Sequence, residues 1–105
     1  MNLEKFNEII DEVFSQCKTL LTKKGDEYTG KEDRLEQFKI AATIKRETPL
    51  ESLSGMMIKH TTKLYGKIGD YPGIISNVDE WEEVINDHIN YLILLKAVLI
   101  DEGDI

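Results

Sequence analysis

Asp79-Glu80-Trp81-Glu82-Glu83-Val84-Ile85-Asn86-Asp87-His88-Ile89-Asn90 runs without a break into Tyr91-Leu92-Ile93-Leu94-Leu95-Lys96-Ala97-Val98-Leu99-Ile100. The stretch turns from charged to apolar along its length and contains neither glycine nor proline. It predicts one long helix that is greasy on more than one face, which implies burial on more than one side. Glu83, Asp87 and Asn90 stand at i, i+4 and i+7, on one helical face. Carboxylates and an amide at the edge of such a helix need a cation, a metal or a bound ligand as partner.

Three more helices follow from working outward. Residues 3–22 place Phe6, Ile9, Ile10, Val13, Phe14, Cys17, Leu20 and Leu21 at helical spacing, with Asn2 as cap and Lys23-Lys24-Gly25 as the stop. A shorter helix is expected over 32–44, carrying Leu35, Phe38, Ile40, Ala41, Ala42 and Ile44. Thr48-Pro49-Leu50-Glu51 opens the third: Thr48 caps, Pro49 suits the first helical position and Glu51 completes a capping box. Its inward stripe is Leu50, Leu53, Met56, Met57, His60, Leu64 and Ile68, ended by Gly69-Asp70-Tyr71-Pro72-Gly73. Ile74-Ile75 is expected to pack a loop onto the bundle, and Ser76-Asn77-Val78-Asp79 offers caps for the last helix. The expected architecture is all-α, a four-helix bundle-like single domain spanning residues 1–105. Helices apolar over more than one face make a homo-oligomer the expected state.

Composition narrows the class. Hydrophobic residues make up 41% and charged residues 31%, a balance of globular and not of disordered chains. One cysteine, Cys17, rules out an internal disulfide framework and suits a reducing compartment. Met1-Asn2-Leu3-Glu4-Lys5 opens straight into an amphipathic pattern, so no leader is read, and the run from Tyr91 to Ile100 is too short for a membrane span. A cytoplasmic protein without a membrane partner is expected. The net charge of -7 is unevenly spread: -3 over residues 1–17, +4 over 18–67 and -8 over 68–105. An acidic whole argues against duplex nucleic acid, while the basic middle suits a small phosphorylated ligand.

Three groups of residues carry candidate chemistry, each beside a plainer reading. Glu83 and Asp87 can hold a hard cation such as Mg²⁺, with Asn90 meeting a base, ribose or phosphate; plainly, the acids complement a helix N-terminus. That plain reading does not reach Asn90, which stands well inside the helix and must satisfy its amide somewhere. Lys59 and Lys63, with Lys67, line up on the third helix beside His60 and can meet phosphates; plainly, they form a solvated face around a packed histidine. Lys24, Asp26 and Tyr28, followed by Arg34, put a cation, an acid and an aromatic ring near one connection. There Tyr28 can stack on a base and Arg34 fork onto a phosphate; plainly, Arg34 pairs with Glu36 or Glu27 on the surface. Tyr91 follows Asn90 and joins the candidate ligand set. No P-loop, dinucleotide fingerprint, zinc-protease motif or acyl-transfer triad is present.

Lys24-Gly25-Asp26-Glu27-Tyr28 with Phe38, and Asp87-His88-Ile89-Asn90-Tyr91-Leu92-Ile93-Leu94-Leu95, resemble small phage and prophage α-helical proteins of the nucleotide-modification-associated type. The layout is also similar, more distantly, to the all-α nucleotide pyrophosphohydrolases of the MazG and dimeric dUTPase kind. The enzyme resemblance implies a Mg²⁺ cluster built by E-x-x-E on one helix and E-x-x-D on the next. Here the last helix offers Glu83-x-x-x-Asp87 with one residue too many, and Glu36 is the nearest acid of the second helix to complete a set. Two-metal hydrolysis needs carboxylates converging on ions about 4 Å apart. The phage resemblance implies a non-catalytic protein that sequesters a phosphorylated nucleotide or nucleotide-derived immune signal, in an anti-defence role. Alternatives are the Mg²⁺-dependent pyrophosphohydrolase, using Glu83, Asp87 and Glu36, and an acidic inhibitor that binds a host defence protein.

Overall fold

The computed structural model describes residues 1–28, 33–72 and 77–105, with the side chains of 24–28 excepted. It is all-α: α1 spans Leu3–Tyr28, α2 Glu36–Lys45, α3 Pro49–Asp70 and α4 Val78–Asp101. Asn2 caps α1 through its Oδ1, which accepts from the Lys5 amide at 2.8 Å. α1 does not stop at Lys23-Lys24-Gly25 but continues to Tyr28. A helical glycine costs about 1 kcal/mol relative to alanine, too little to end a helix whose neighbours favour it. α2 starts at Glu36, later than the expected 32, because the Leu35 amide donates to Asp33 Oδ1 at 2.9 Å and holds Asp33–Leu35 as a turn. It ends on Arg46 in the left-handed conformation (φ 57°), with the Glu47 amide donating to Ala42 O at 2.9 Å.

The start of α3 is built as its sequence predicts. Thr48 Oγ1 accepts from the Glu51 amide at 3.1 Å, and Glu51 Oε1 accepts from the Thr48 amide at 3.3 Å. Thr48→Ala removes this cap and is expected to cost about 1 kcal/mol. A melting point about 5 °C lower, measured by circular dichroism, checks it; no change would show that the box contributes nothing. α4 is capped by Asn77, whose Oδ1 accepts from the Glu80 amide at 2.8 Å.

α3 and α4 pack antiparallel: His60 stacks on Tyr91 at 4.6 Å between centroids, while further along Lys67 meets Glu80 at 3.3 Å. The inward stripe of α3 ends earlier than expected. Ile68 is exposed, and Lys67 takes the inner seat over the Trp81 ring at 5.5 Å from its centroid. A straight helix drifts about 20° per heptad, so a seven-residue repeat walks off the interface. α1 runs parallel to α4, with Cys17 beside Asn86 and Leu21 farther along toward Asn90 and Leu94. In that register the first turns of α1 reach past the start of α4, which leaves Leu3 and Phe6 exposed. The buried core is Leu35, Phe38, Leu53, Leu94 and Val98, joining α2, α3 and α4 at one end of the molecule. Lys39 ties that end together, donating to Asp33 at 2.7 Å and pairing with Asp101 at 3.0 Å. No helix among the described residues is long and apolar enough to cross a membrane.

Candidate functional site

A cavity of about 260 Å³ lies where α1, α3 and α4 meet the turn that leads into α2. Leu21, Met56 and Leu94 supply apolar walls; Arg34, Gln37, His60, Asp87, Asn90 and Tyr91 supply polar groups and rings. Each arrives by a separate local cause. Asn90 is carried inward by α4 on the stripe of Asn86, Leu94 and Val98 and is only 5% exposed. His60 rides the α3 stripe and lies against Tyr91. Arg34 stands between Asp33 and buried Leu35, in a turn clamped by the Asp33–Lys39 pair. The Lys39 ammonium, then the Leu35 amide, hold the Asp33 carboxyl below its ordinary value, and the two carboxylates hold Lys39 well above its own.

Two atoms of this site lack what burial demands. Among the described residues, Asn90 Oδ1 and Arg34 Nη1 are buried with no hydrogen-bond partner. A buried polar group left unpaired costs about 1–3 kcal/mol, so two residues of the cavity wall, Asn90 and Arg34, each carry one buried atom whose hydrogen-bonding capacity is unused. Asp87 Oδ2 stands 3.6 Å from His60 Nδ1, with both side chains largely covered. Behind the cavity, Cys17 Sγ donates to Asn86 Oδ1 at 3.7 Å and Asn86 Nδ2 donates to Gln16 Oε1 at 2.9 Å. Burial, and next the Asp87 charge, push the Cys17 thiol up, so it stays protonated and packed.

Arg34, His60, Asp87, Asn90 and Tyr91 are therefore gathered into one place. Lys59 and Lys63 are exposed and do not line the cavity, and Lys67, the third of that stripe, packs over Trp81 away from it. The side chains of Lys24, Asp26 and Tyr28 lie outside the described residues. The carboxylate set expected for hydrolysis is not assembled. Glu83 is exposed and absent from the cavity wall, and Glu36 lines a separate surface groove with Asp33 and Lys39. Among the described residues no three or more of histidine, cysteine, aspartate and glutamate group closely enough to hold a metal ion. Among the described residues Arg34 forms no pair with Glu36, and its Nη1 is buried without a partner; the side chain of Glu27, the other expected partner, lies outside them.

Gln37 escaped the sequence reading, although it stands three residues after Arg34 and so on the same side of the chain as α2 begins. Leu21, Met56 and Leu94 read only as core positions, since a cavity wall and a packed core share the same periodicity. Comparison with protein-family models, with curated proteins and with solved structures returns no match to this chain.

Proposed function

We propose that this protein binds a phosphorylated nucleotide, or a signal derived from one, and holds it without cleaving it. The observation that carries this reading is the pair of groups buried and unpartnered among the described residues, Asn90 Oδ1 and Arg34 Nη1, on residues lining one cavity. Asn90 accepts from the amino or imino edge of a base, and Arg34 meets a phosphate in the planar fork that suits guanidinium. Tyr91 and His60 offer ring faces against Met56 and Leu94, and Asp87 accepts from a sugar hydroxyl. This is the division of labour of small-ligand sites, in which apolar walls surround a few placed polar groups. The cavity is smaller than the roughly 300–1,000 Å³ common for such sites. It takes one ring system or one phosphorylated sugar, with the rest of a larger ligand in the mouth. The sequence resemblance to phage nucleotide-associated proteins supports the same class, and Glu83 and Glu36, the acids that hydrolysis would set beside Asp87, stand outside the cavity wall.

The test is a thermal-shift and calorimetric screen of nucleoside mono-, di- and triphosphates and of linear and cyclic dinucleotides. A ligand at about 100 times its Kd adds roughly 2.7 kcal/mol, a rise of about 10–20 °C in a domain of this size. The ligand recovered after heat denaturation is expected intact. Arg34→Met is expected to weaken binding at least about 10-fold while leaving the melting point of the free protein unchanged or raised. Recovery of a cleaved product, or no shift with any member of the screen, overturns the reading.

A further inference from the structure

The side of α4 turned away from the cavity carries a second feature. Val78, Glu82, Ile85, Ile89, Leu92 and Lys96 follow one another at spacings of four, three, four, three and four residues. That is the alternation of a coiled-coil seam, and it brings one line of side chains to one face over about 27 Å of helix. α4's other side is already occupied, with Val84, Asn86, Asn90, Leu94 and Val98 buried. Most of the seam is uncovered: Val78 is 70% exposed, Ile85 41% and Leu92 47%, and Lys96 is exposed too, while Glu82 and Ile89 are partly covered.

We infer that this seam pairs with the same seam of a second copy, antiparallel, about a two-fold axis at Ile89. The order of charges selects that occupant. Glu82 and Lys96 stand seven residues to either side of Ile89, so the seam is acidic at one end, basic at the other and apolar between. Antiparallel pairing of two copies sets Glu82 of one against the partner's Lys96, twice, and brings Ile85 near the partner's Leu92. Parallel pairing faces glutamate with glutamate and lysine with lysine. A two-fold interface must be self-complementary, and this line of residues is.

The exposed area agrees. A monomer of 12.1 kDa is expected to show about 6,000 Å² of accessible surface, whereas this chain shows 7742 Å². Its radius of gyration is 15.9 Å, against about 13 Å for a compact domain of this length. The excess exceeds the ~800 Å² that each partner buries in a standard interface. Because the seam lies away from the cavity, pairing leaves the cavity open, and the inference does not depend on the ligand reading.

Sedimentation equilibrium and light scattering over a concentration series test it. The wild type is expected at twice the 12.1 kDa chain mass, and Ile89→Asp is expected as a monomer with its helical circular dichroism retained. Ile89 is half-buried, so the charge variants provide an independent arm, in which Lys96 is the exposed position. Glu82→Lys and Lys96→Glu are each expected to weaken the dimer about 10-fold, since each replaces two attractions by two repulsions. The double variant Glu82→Lys/Lys96→Glu restores the pairs and is expected within about 3-fold of the wild type. A wild type that stays monomeric, a dimer indifferent to Ile89→Asp, or a double variant no tighter than the singles overturns the inference.

Discussion

Phe38→Ala is expected to lower the melting point by roughly 15–30 °C. Truncating a buried phenylalanine costs about 3–5 kcal/mol, from lost transfer energy and the cavity left behind, and each kcal/mol moves a domain of this size by about 4–8 °C. The site argues for the upper part of the range. Phe38 is 1% exposed and is packed with Leu53 of α3 and with Leu94 and Val98 of α4. α2 is only 10 residues long, too short to be helical unaided, so this ring is the main anchor holding it to the rest. The consequence reaches the cavity, because Arg34 and Gln37 flank that anchor. Under the proposed function, nucleotide affinity is expected to fall along with stability, even though Phe38 does not line the cavity. Phe38→Leu keeps most of the volume and is expected to cost less than half as much. A Phe38→Ala melting point within about 5 °C of the wild type would show that α2 lies outside the cooperative unit.

What was legible beforehand divides along a physical line. The Thr48-Pro49-Leu50-Glu51 start of α3 was readable because its cap is closed by residues three apart, with no help from the fold. The Asn2 cap was readable for the same reason, while Asn77 was one of several caps that Ser76-Asn77-Val78-Asp79 offered. Gly25 misled because glycine permits the left-handed stop without requiring it. The beginning of α2 misled because the Asp33–Leu35 turn competes for the same backbone amides, and nothing in hydrophobic spacing reports that competition.

The cavity shows the same division. Asn90 was visible as a misfit, an amide inside an apolar helix, and misfits of that kind mark sites where a local rule is broken. His60 was marked by the same conflict between polarity and stripe, whereas Asp87 was marked by its spacing from Glu83, and only Asp87 of that pair reaches the cavity. Lys59 and Lys63 conflict with nothing, and the structure leaves them in solvent. Leu21 and Met56 could not be told from core residues, since their role depends on an empty volume that only the packing of three helices creates. The surplus of apolar surface was read as self-association, but the seam and its opposed charges emerge only when the burial of α4 shows which side is vacant.

Asn90→Leu is expected to make the free protein more stable and the proposed ligand site useless. Asn90 Oδ1 is buried and unpartnered among the described residues, which costs the folded state about 1–3 kcal/mol. Leucine removes that cost, has a helix propensity better by several tenths of a kcal/mol, and puts two methyl groups in place of the amide oxygen and nitrogen, beside Leu21 and Leu94 on the wall of a cavity of about 260 Å³. Part of the gain is lost to imperfect packing. A net gain of about 1–2 kcal/mol, read as a melting point higher by roughly 5–10 °C, is the expected balance. Binding moves the opposite way. A ligand N–H that met Asn90 now faces hydrocarbon without an acceptor, and affinity is expected to drop by at least about 10-fold, so the nucleotide-induced thermal shift disappears. The opposed signs are what make the variant informative. A residue kept for packing would lose stability on substitution and leave binding to follow passively, whereas a residue kept for a guest costs stability until the guest arrives. If Asn90→Leu melts lower than the wild type, the amide serves the fold; if it melts higher and still binds as tightly, the guest lies elsewhere.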